Sequence, residues 1–209
     1  VNVSTLQTAL GSGNITITTT NAGTSGGSTG NITISSALSY TSSSYTLTLN
    51  AAGGVTGSAN IAMGSGGLVV TQAGNSSYSG ALSGTGGLTL NGAGTLTLSG
   101  ANTYTGATTV SSGGLTLGSG GSIATSSAVS VASGATLTLG TSASLRSLLA
   151  SSGTVSIGTS NTLTLTGMSN IATSDLQTWL GSGNVSVSPT SAISTCLLYT
   201  SPSPRDGLL

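Results

Sequence analysis

The chain has 209 residues, of which 34 are Gly, 41 Ser and 37 Thr, with two Lys or Arg, two Asp or Glu, no His and a net charge of zero. Nucleic-acid binding needs several cations to neutralise phosphates and an anionic membrane surface needs a basic patch, so composition excludes both as partners. No apolar run reaches the roughly 18 residues of a membrane helix and Val1 opens no signal peptide, so the chain reads as an internal fragment, not itself inserted in a membrane.

In chain order, the first element is Ser4 to Thr18, STLQTALGSGNITIT. Ser4 is placed to cap a short helical turn, Leu6 and Leu10 share one face, and Gly11 ends the turn before a strand carrying Ile15 and Ile17. Alternating strands follow at Ile32/Ile34, Leu47/Leu49, Leu88/Leu90, Leu96/Leu98, Leu115/Leu117, Leu137/Leu139, Val155/Ile157 and Leu163/Leu165. Where Thr separates two apolar residues, the apolar pair points to one side and Thr to the other. A disordered linker of small polar residues would have no reason to keep this alternation, so the chain is predicted to fold. Between these strands, Ser142 to Ala150 has Leu145, Leu148 and Leu149 at helical spacing and is predicted as a second short helix. The first module then returns at Ser174 to Ser188, SDLQTWLGSGNVSVS, with nine of fifteen positions identical. Both copies are predicted to be a short helical turn leading into a strand, with Trp179 at least half buried.

Strands this short cannot bury one face alone, so they must stack. Leu68 to Leu88 spans 20 residues, Leu115 to Leu137 spans 22 and Leu137 to Leu163 spans 26. Coils of this length predict an all-β chain folded as a right-handed parallel β-helix, or β-solenoid, with short helical turns. At about 4.8 Å per coil, residues 1–195 would make roughly nine coils and a rod of about 43 Å.

The run Gly86 to Gly118, GGLTLNGAGTLTLSGANTYTGATTVSSGGLTLG, resembles the passenger-associated repeat of bacterial autotransporters. The matching residues are Gly86, Gly87, Leu88, Gly94, Leu96, Leu98, Asn102, Tyr104, Gly106, Thr108, Gly114, Leu115 and Leu117. The segments LQTALGSGNITIT and ISSALSYTSSSYTLTLNAAGGV resemble coils of filamentous-haemagglutinin-like secreted adhesins. The resemblance implies a β-helical stalk, secreted or displayed on the cell surface at the outer membrane of a Gram-negative bacterium. It implies an outer-membrane translocator elsewhere in the full protein, and host or neighbouring-cell surface proteins or glycans as partners. A passive carrier for an effector domain outside the fragment is the alternative. The end of the chain differs: CLLYTSPSPRD, Cys196 to Asp206, resembles a translated sequencing adapter, so residues 196–209 are expected to be a non-native disordered tail behind a solenoid of residues 1–195.

Catalytic chemistry finds no footing in the sequence. Acid/base catalysis needs His or paired carboxylates, and before the tail only Asp175 is available, where the first turn of a helix favours a negative charge. With no His and no Lys, no Ser has a base to activate it. Zn and Ca²⁺ lack their ligand sets, so no metal and no cofactor is expected. GSGGS at Gly118 to Ser122 lacks the Lys of a phosphate loop and reads as a turn. Asn102 and Tyr104 read as a turn residue and a cover for a coil edge, and Arg146 as a snorkelling surface cation. The pairs Thr16/Thr18, Thr46/Thr48, Thr95/Thr97, Thr136/Thr138 and Thr162/Thr164 resemble the ice-binding face of some solenoids, but the uneven coil length argues against one flat array. The chain is therefore read as structural and adhesive, not an enzyme.

Overall fold

Alternation at period two gives each strand one apolar side, and the chain satisfies all of these sides at once by winding them around a common interior. A computed structural model describes residues 1–19, 30–149, 153–167 and 184–187. Helix α1 (Val3–Leu10) precedes a first coil of β1 (Ile15–Thr19), β2 (Ile32–Ile34) and β3 (Leu38–Ser39). The second coil is β4 (Leu47–Ala51), β5 (Val55–Gly57) and β6 (Ile61–Met63), and the third is β7 (Leu68–Gln72), β8 (Ser76–Tyr78) and β9 (Leu82–Gly84). The next two coils keep two strands each, β10 (Leu88–Asn91) with β11 (Thr95–Leu98) and β12 (Thr108–Val110) with β13 (Gly114–Leu117). Three strands return in β14 (Val129–Val131), β15 (Thr136–Leu139) and β16 (Ala143–Leu145). The described chain continues through β17 (Leu148–Leu149), β18 (Thr154–Ile157), β19 (Thr162–Leu165) and β20 (Asn184–Val187).

Each coil thus has three sides, and like sides stack into sheets. The first face runs β1-β4-β7-β10-β12-β14-β17 and the second β2-β5-β8-β11-β13-β15-β18, seven strands each. The third is β3-β6-β9 near the start and β16-β19-β20 near the end. Among the described residues every strand pair is parallel, and the stack makes a solenoid of about six turns. Leu47, Leu68 and Leu88 lie opposite one another on the first face, and Leu96, Leu115, Leu137 and Val155 on the second. All ten leucines predicted inward, from Leu88 to Leu165, are at most 3% exposed, and the Thr residues between them are half-buried on the outside. Each buried Leu contributes on the order of 1.5–3 kcal/mol, so the stacked columns carry the fold.

Three expectations need correction. Ser142 to Ala150 is not a helix: β16 and β17 occupy it, because the chain turns a corner at Arg146 and Ser147 and both Leu145 and Leu148 face the interior. A corner brings residues three apart to one side just as a helical turn does. Leu163 is not the coil partner of Leu137, which lies opposite Val155; Leu163 belongs to the third face, between Ala143 and Val185. Helix α1 is capped by Asn2 rather than Ser4, since Asn2 Oδ1 accepts the Ser4 N–H at 2.9 Å. Its end at Gly11 and the burial of Leu6 and Leu10 are as expected. Gln7 Nε2 donates to the Ser39 carbonyl at 2.8 Å and Ser43 Oγ to that of Leu10 at 2.5 Å, which seats the helix on the first two coils. The second copy of the module supplies β20, matching β1. Its helical half, with Trp179 and Asp175, lies outside the described residues, as does the tail from Cys196 to Leu209.

Coil length varies without disturbing register. Thr136 lies opposite Thr154, 18 residues on, and Ile15 opposite Leu47, 32 residues on. The difference is absorbed in the corners. One corner shows how closely the coils approach: Gly84 has φ +106°, and a Cβ there would overlap the Met63 carbonyl oxygen.

Candidate functional site

On the second face one outward column runs Thr33, Thr56, Ser77, Thr97, Thr116, Thr138 and Ser156, held in line by the ladder. With strands about 4.8 Å apart these hydroxyls form a single row along the rod. Thr33 and Thr56 are close enough to share a hydrogen bond, Oγ1 to Oγ1 at 3.2 Å. The first face carries a second row, Thr16, Thr48, Val69, Thr89, Thr109 and Ser130, interrupted once by Val69. The five Thr-x-Thr pairs do not share a face. Thr16/Thr18 and Thr46/Thr48 lie along the first, Thr95/Thr97 and Thr136/Thr138 on the second, and Thr162/Thr164 on the third. Uneven coil length is not what prevents a single array, because register survives it; the division among three faces does.

Asparagines at the corners tie one coil to the next. Oδ1 of Asn14, Asn31, Asn60 and Asn75 accepts the backbone N–H of Thr46, Gly54, Ala81 and Thr95, at 2.8–2.9 Å. In each case the side chain stands in for a backbone carbonyl at a place where the ladder is not yet formed. Asn102 does this inside the rod. It is 3% exposed, with Oδ1 accepting Leu82 N–H at 2.9 Å and Nδ2 donating to the Gly100 carbonyl at 2.9 Å. The third face lacks a strand at this level, and the Asn102 amide bridges the gap.

Tyr104 does not cover a coil edge. It is fully buried, and its hydroxyl meets Thr108 Oγ1 at 2.6 Å, which meets Ser126 Oγ at 3.0 Å. Thr108 stands in the inward column between Leu88 and Val129, so its hydroxyl has to find a partner in the interior, and Tyr104 supplies one. Tyr40 and Tyr78 are buried too, their hydroxyls donating to the carbonyls of Gly67 and Ala59. Burial pushes the Tyr78 phenol up to about 12 and raises those of Tyr40 and Tyr104; for Tyr104 the hydrogen bond to Thr108 opposes the rise.

The other singled-out residues fall as follows. Gly118 to Ser122 is a tight turn, with Gly121 N–H donating to the Gly118 carbonyl at 2.9 Å and Gly120 at φ +83°. Arg146 is exposed at the corner between β16 and β17. Sequence reasoning passed over Gln72, which is 2% exposed; its Oε1 accepts from Val55 N–H at 3.1 Å and Ser76 Oγ at 2.7 Å, and its Nε2 has no partner among the described residues. Among those residues no group of three or more His, Cys, Asp or Glu occurs, and no helix is long and apolar enough to cross a membrane. The interior hollow between the middle coils is about 10 Å³, walled by Leu, Val and Ile side chains and Tyr78.

Taken together, the coil geometry and the rows of small hydroxyls define a parallel β-solenoid with an apolar interior and a hydroxyl-lined outside. Residues 88–117 match the family model described as Passenger-associated-transport-repeat, and this match and the solenoid fit an autotransporter passenger repeat. No curated relative and no solved structure matches the chain. The matched segment is the two coils β10 to β13, which hold the buried Tyr104–Thr108 pair and, separately, the buried Asn102 amide. Proteins with this repeat are passengers that are secreted or surface-displayed.

Proposed function

We propose that the chain is an adhesive stalk segment of an autotransporter or haemagglutinin-like passenger, displayed on the surface of a Gram-negative cell and carried there by an outer-membrane translocator. The observation that carries this reading is the passenger-associated repeat lying within a stack of in-register coils whose outer faces are lined with Ser and Thr. A rod of this kind adheres through many weak polar contacts, and its partners are surface proteins or glycans of host or neighbouring cells. It works by length and surface, without chemistry of its own. The division of the Thr-x-Thr pairs among three faces favours this reading over an ice-binding plane.

The test is to fuse the chain to a β-barrel translocator in a non-adherent Gram-negative host. Protease shaving from outside should release the chain, and the displaying cells should bind host-cell monolayers or one another more than cells with the barrel alone. Display without any gain in adhesion would overturn the adhesive role and favour a passive carrier. Failure to reach the surface would overturn the passenger reading.

A further inference from the structure

Asn91 stands apart from the asparagines that tie coils together. Asn14, Asn31, Asn60 and Asn75 each commit Oδ1 to a neighbouring coil, whereas the half-buried Asn91, opposite Thr71 on the outer side of β10, makes no side-chain hydrogen bond among the described residues. It is also the asparagine that a glycine follows: Asn91-Gly92 is the one Asn-Gly pair in the chain. A glycine nitrogen has no Cβ beside it to keep it from the preceding carboxamide carbon, so this pair is the one most open to ring closure.

The fold holds that nitrogen. Gly92 N–H donates to Ser112 Oγ of the following coil at 2.8 Å. The Gly92 backbone, at φ +93°, is also wedged between coils: a Cβ on it would overlap the Gln72 carbonyl oxygen of the coil before, and a Cβ on Gly113 of the coil after would overlap the Gly92 carbonyl oxygen. Ring closure turns the Asn91-Gly92 peptide about the Asn91 Cα–C bond and takes the proton off the Gly92 nitrogen. Neither can happen while these contacts are in place.

We propose that Asn91 is a site of spontaneous deamidation that the stacking of the coils keeps locked and that unwinding of this turn releases. In the unlocked chain the Gly92 nitrogen attacks Asn91 Cγ: the N–Cγ bond forms, the Cγ–Nδ2 bond breaks, and the Gly92 proton leaves with Nδ2 as ammonia. Water then opens the succinimide. Addition at Cγ gives Asp, and addition at the main-chain carbonyl carbon gives isoaspartate, with the chain now routed through Cγ and longer by one methylene. Water is the co-reactant, and nothing is oxidised or reduced. Either product adds a carboxylate to a chain whose net charge is zero. Isoaspartate also lengthens the backbone directly after Leu90, which is 3% exposed in an inward column, so the turn cannot rewind in its old register. Asn91 lies within the segment 88–117 that matches the passenger repeat, and a turn that opens there carries a permanent mark of having done so. The assignment goes beyond the adhesive reading and does not depend on it.

The test incubates the full chain at neutral pH, folded and in guanidinium chloride, and follows isoaspartate by peptide mapping and by an isoaspartate-specific methyltransferase. The expected result is product at Asn91 in denaturant and a rate at least about tenfold lower in the folded chain. Ser112 is exposed, so S112A should keep the circular dichroism of the rod while raising the folded-state rate several-fold. S112T, which keeps the hydroxyl, should restore the slow rate. Hydrogen exchange gives a reading that needs no variant and decides the matter if S112A fails to fold: Gly92 N–H should be protected in the folded chain. Equal rates in the two states, no product at Asn91 in either, a folded S112A as slow as the wild type, S112T as fast as S112A, or an unprotected Gly92 N–H would each overturn the proposal.

Discussion

Leu117 and Thr116 are neighbours in one strand with opposite fates, and the difference measures what the interior contributes. Leu117 is fully buried in a column between Leu98 and Leu139, so Leu117→Ala should cost about 2–5 kcal/mol in chemical denaturation. Thr116→Ala, on the outer row, should stay within about 0.5 kcal/mol. The corner asparagines offer a second contrast. Asn102→Ala leaves the Leu82 N–H without a partner inside the rod and the Gly100 carbonyl with only the Ser122 N–H, and should cost about 1–3 kcal/mol. In Asn60→Ala the Ala81 N–H is at an exposed corner where water can replace Oδ1, and the loss should be smaller. Equal losses at the two sites would refute the view that burial, rather than the hydrogen bond itself, sets the cost.

At the level of strands, register and corner length are separate variables, and insertions should report this. One residue inserted within β13 turns Leu115 or Leu117 outward and should unfold that part of the rod. Gly-Ser inserted at the corner near Ser119 should leave the far-ultraviolet circular dichroism unchanged and lower the melting temperature by only a few degrees, about what a slightly longer loop costs. The same separation explains what the sequence made legible. Inward Leu and outward Thr can be read directly, because alternation is a property of three adjacent residues. The third face cannot, since strands such as Leu38–Ser39 are too short to show a period. Leu145, Leu148 and Leu149 fit a helical spacing that a corner imitates. The burial of Tyr104 was hidden because Thr108, four residues on, turns its hydroxyl inward only where the next strand begins, and Ser126 comes from the following coil, which only stacking brings alongside. The candidate surface was visible as Thr-rich alternation, but its division among three faces depends on where each corner falls.

The whole molecule has few groups that respond to acid, and among the described residues three buried tyrosines resist base. With two carboxylate side chains in the chain, stability should change little between about pH 4 and 9. Tyr40, Tyr78 and Tyr104 are held in the phenol form by burial, with folded values above the unfolded value of about 10. Their contribution is therefore complete below about pH 10 and is lost as pH rises from there through the folded values, about 12 for Tyr78. Melting temperature against pH should be flat and then fall above about 10, with the phenolate absorbance of these three tyrosines appearing as the chain unfolds rather than before. The direction of the ladder has a mechanical consequence. Strands run across the rod and their hydrogen bonds run along it, so tension applied between the ends loads the bonds that join one coil to the next. The rod should yield like a zip, one turn at a time, instead of resisting as a sheared sheet. Each 20-residue turn, such as Leu68 to Leu88, would release about 70 Å of chain, and a single molecule stretched between beads should give a low-force sawtooth of that step. A stalk built this way lengthens under drag while its remaining turns stay wound.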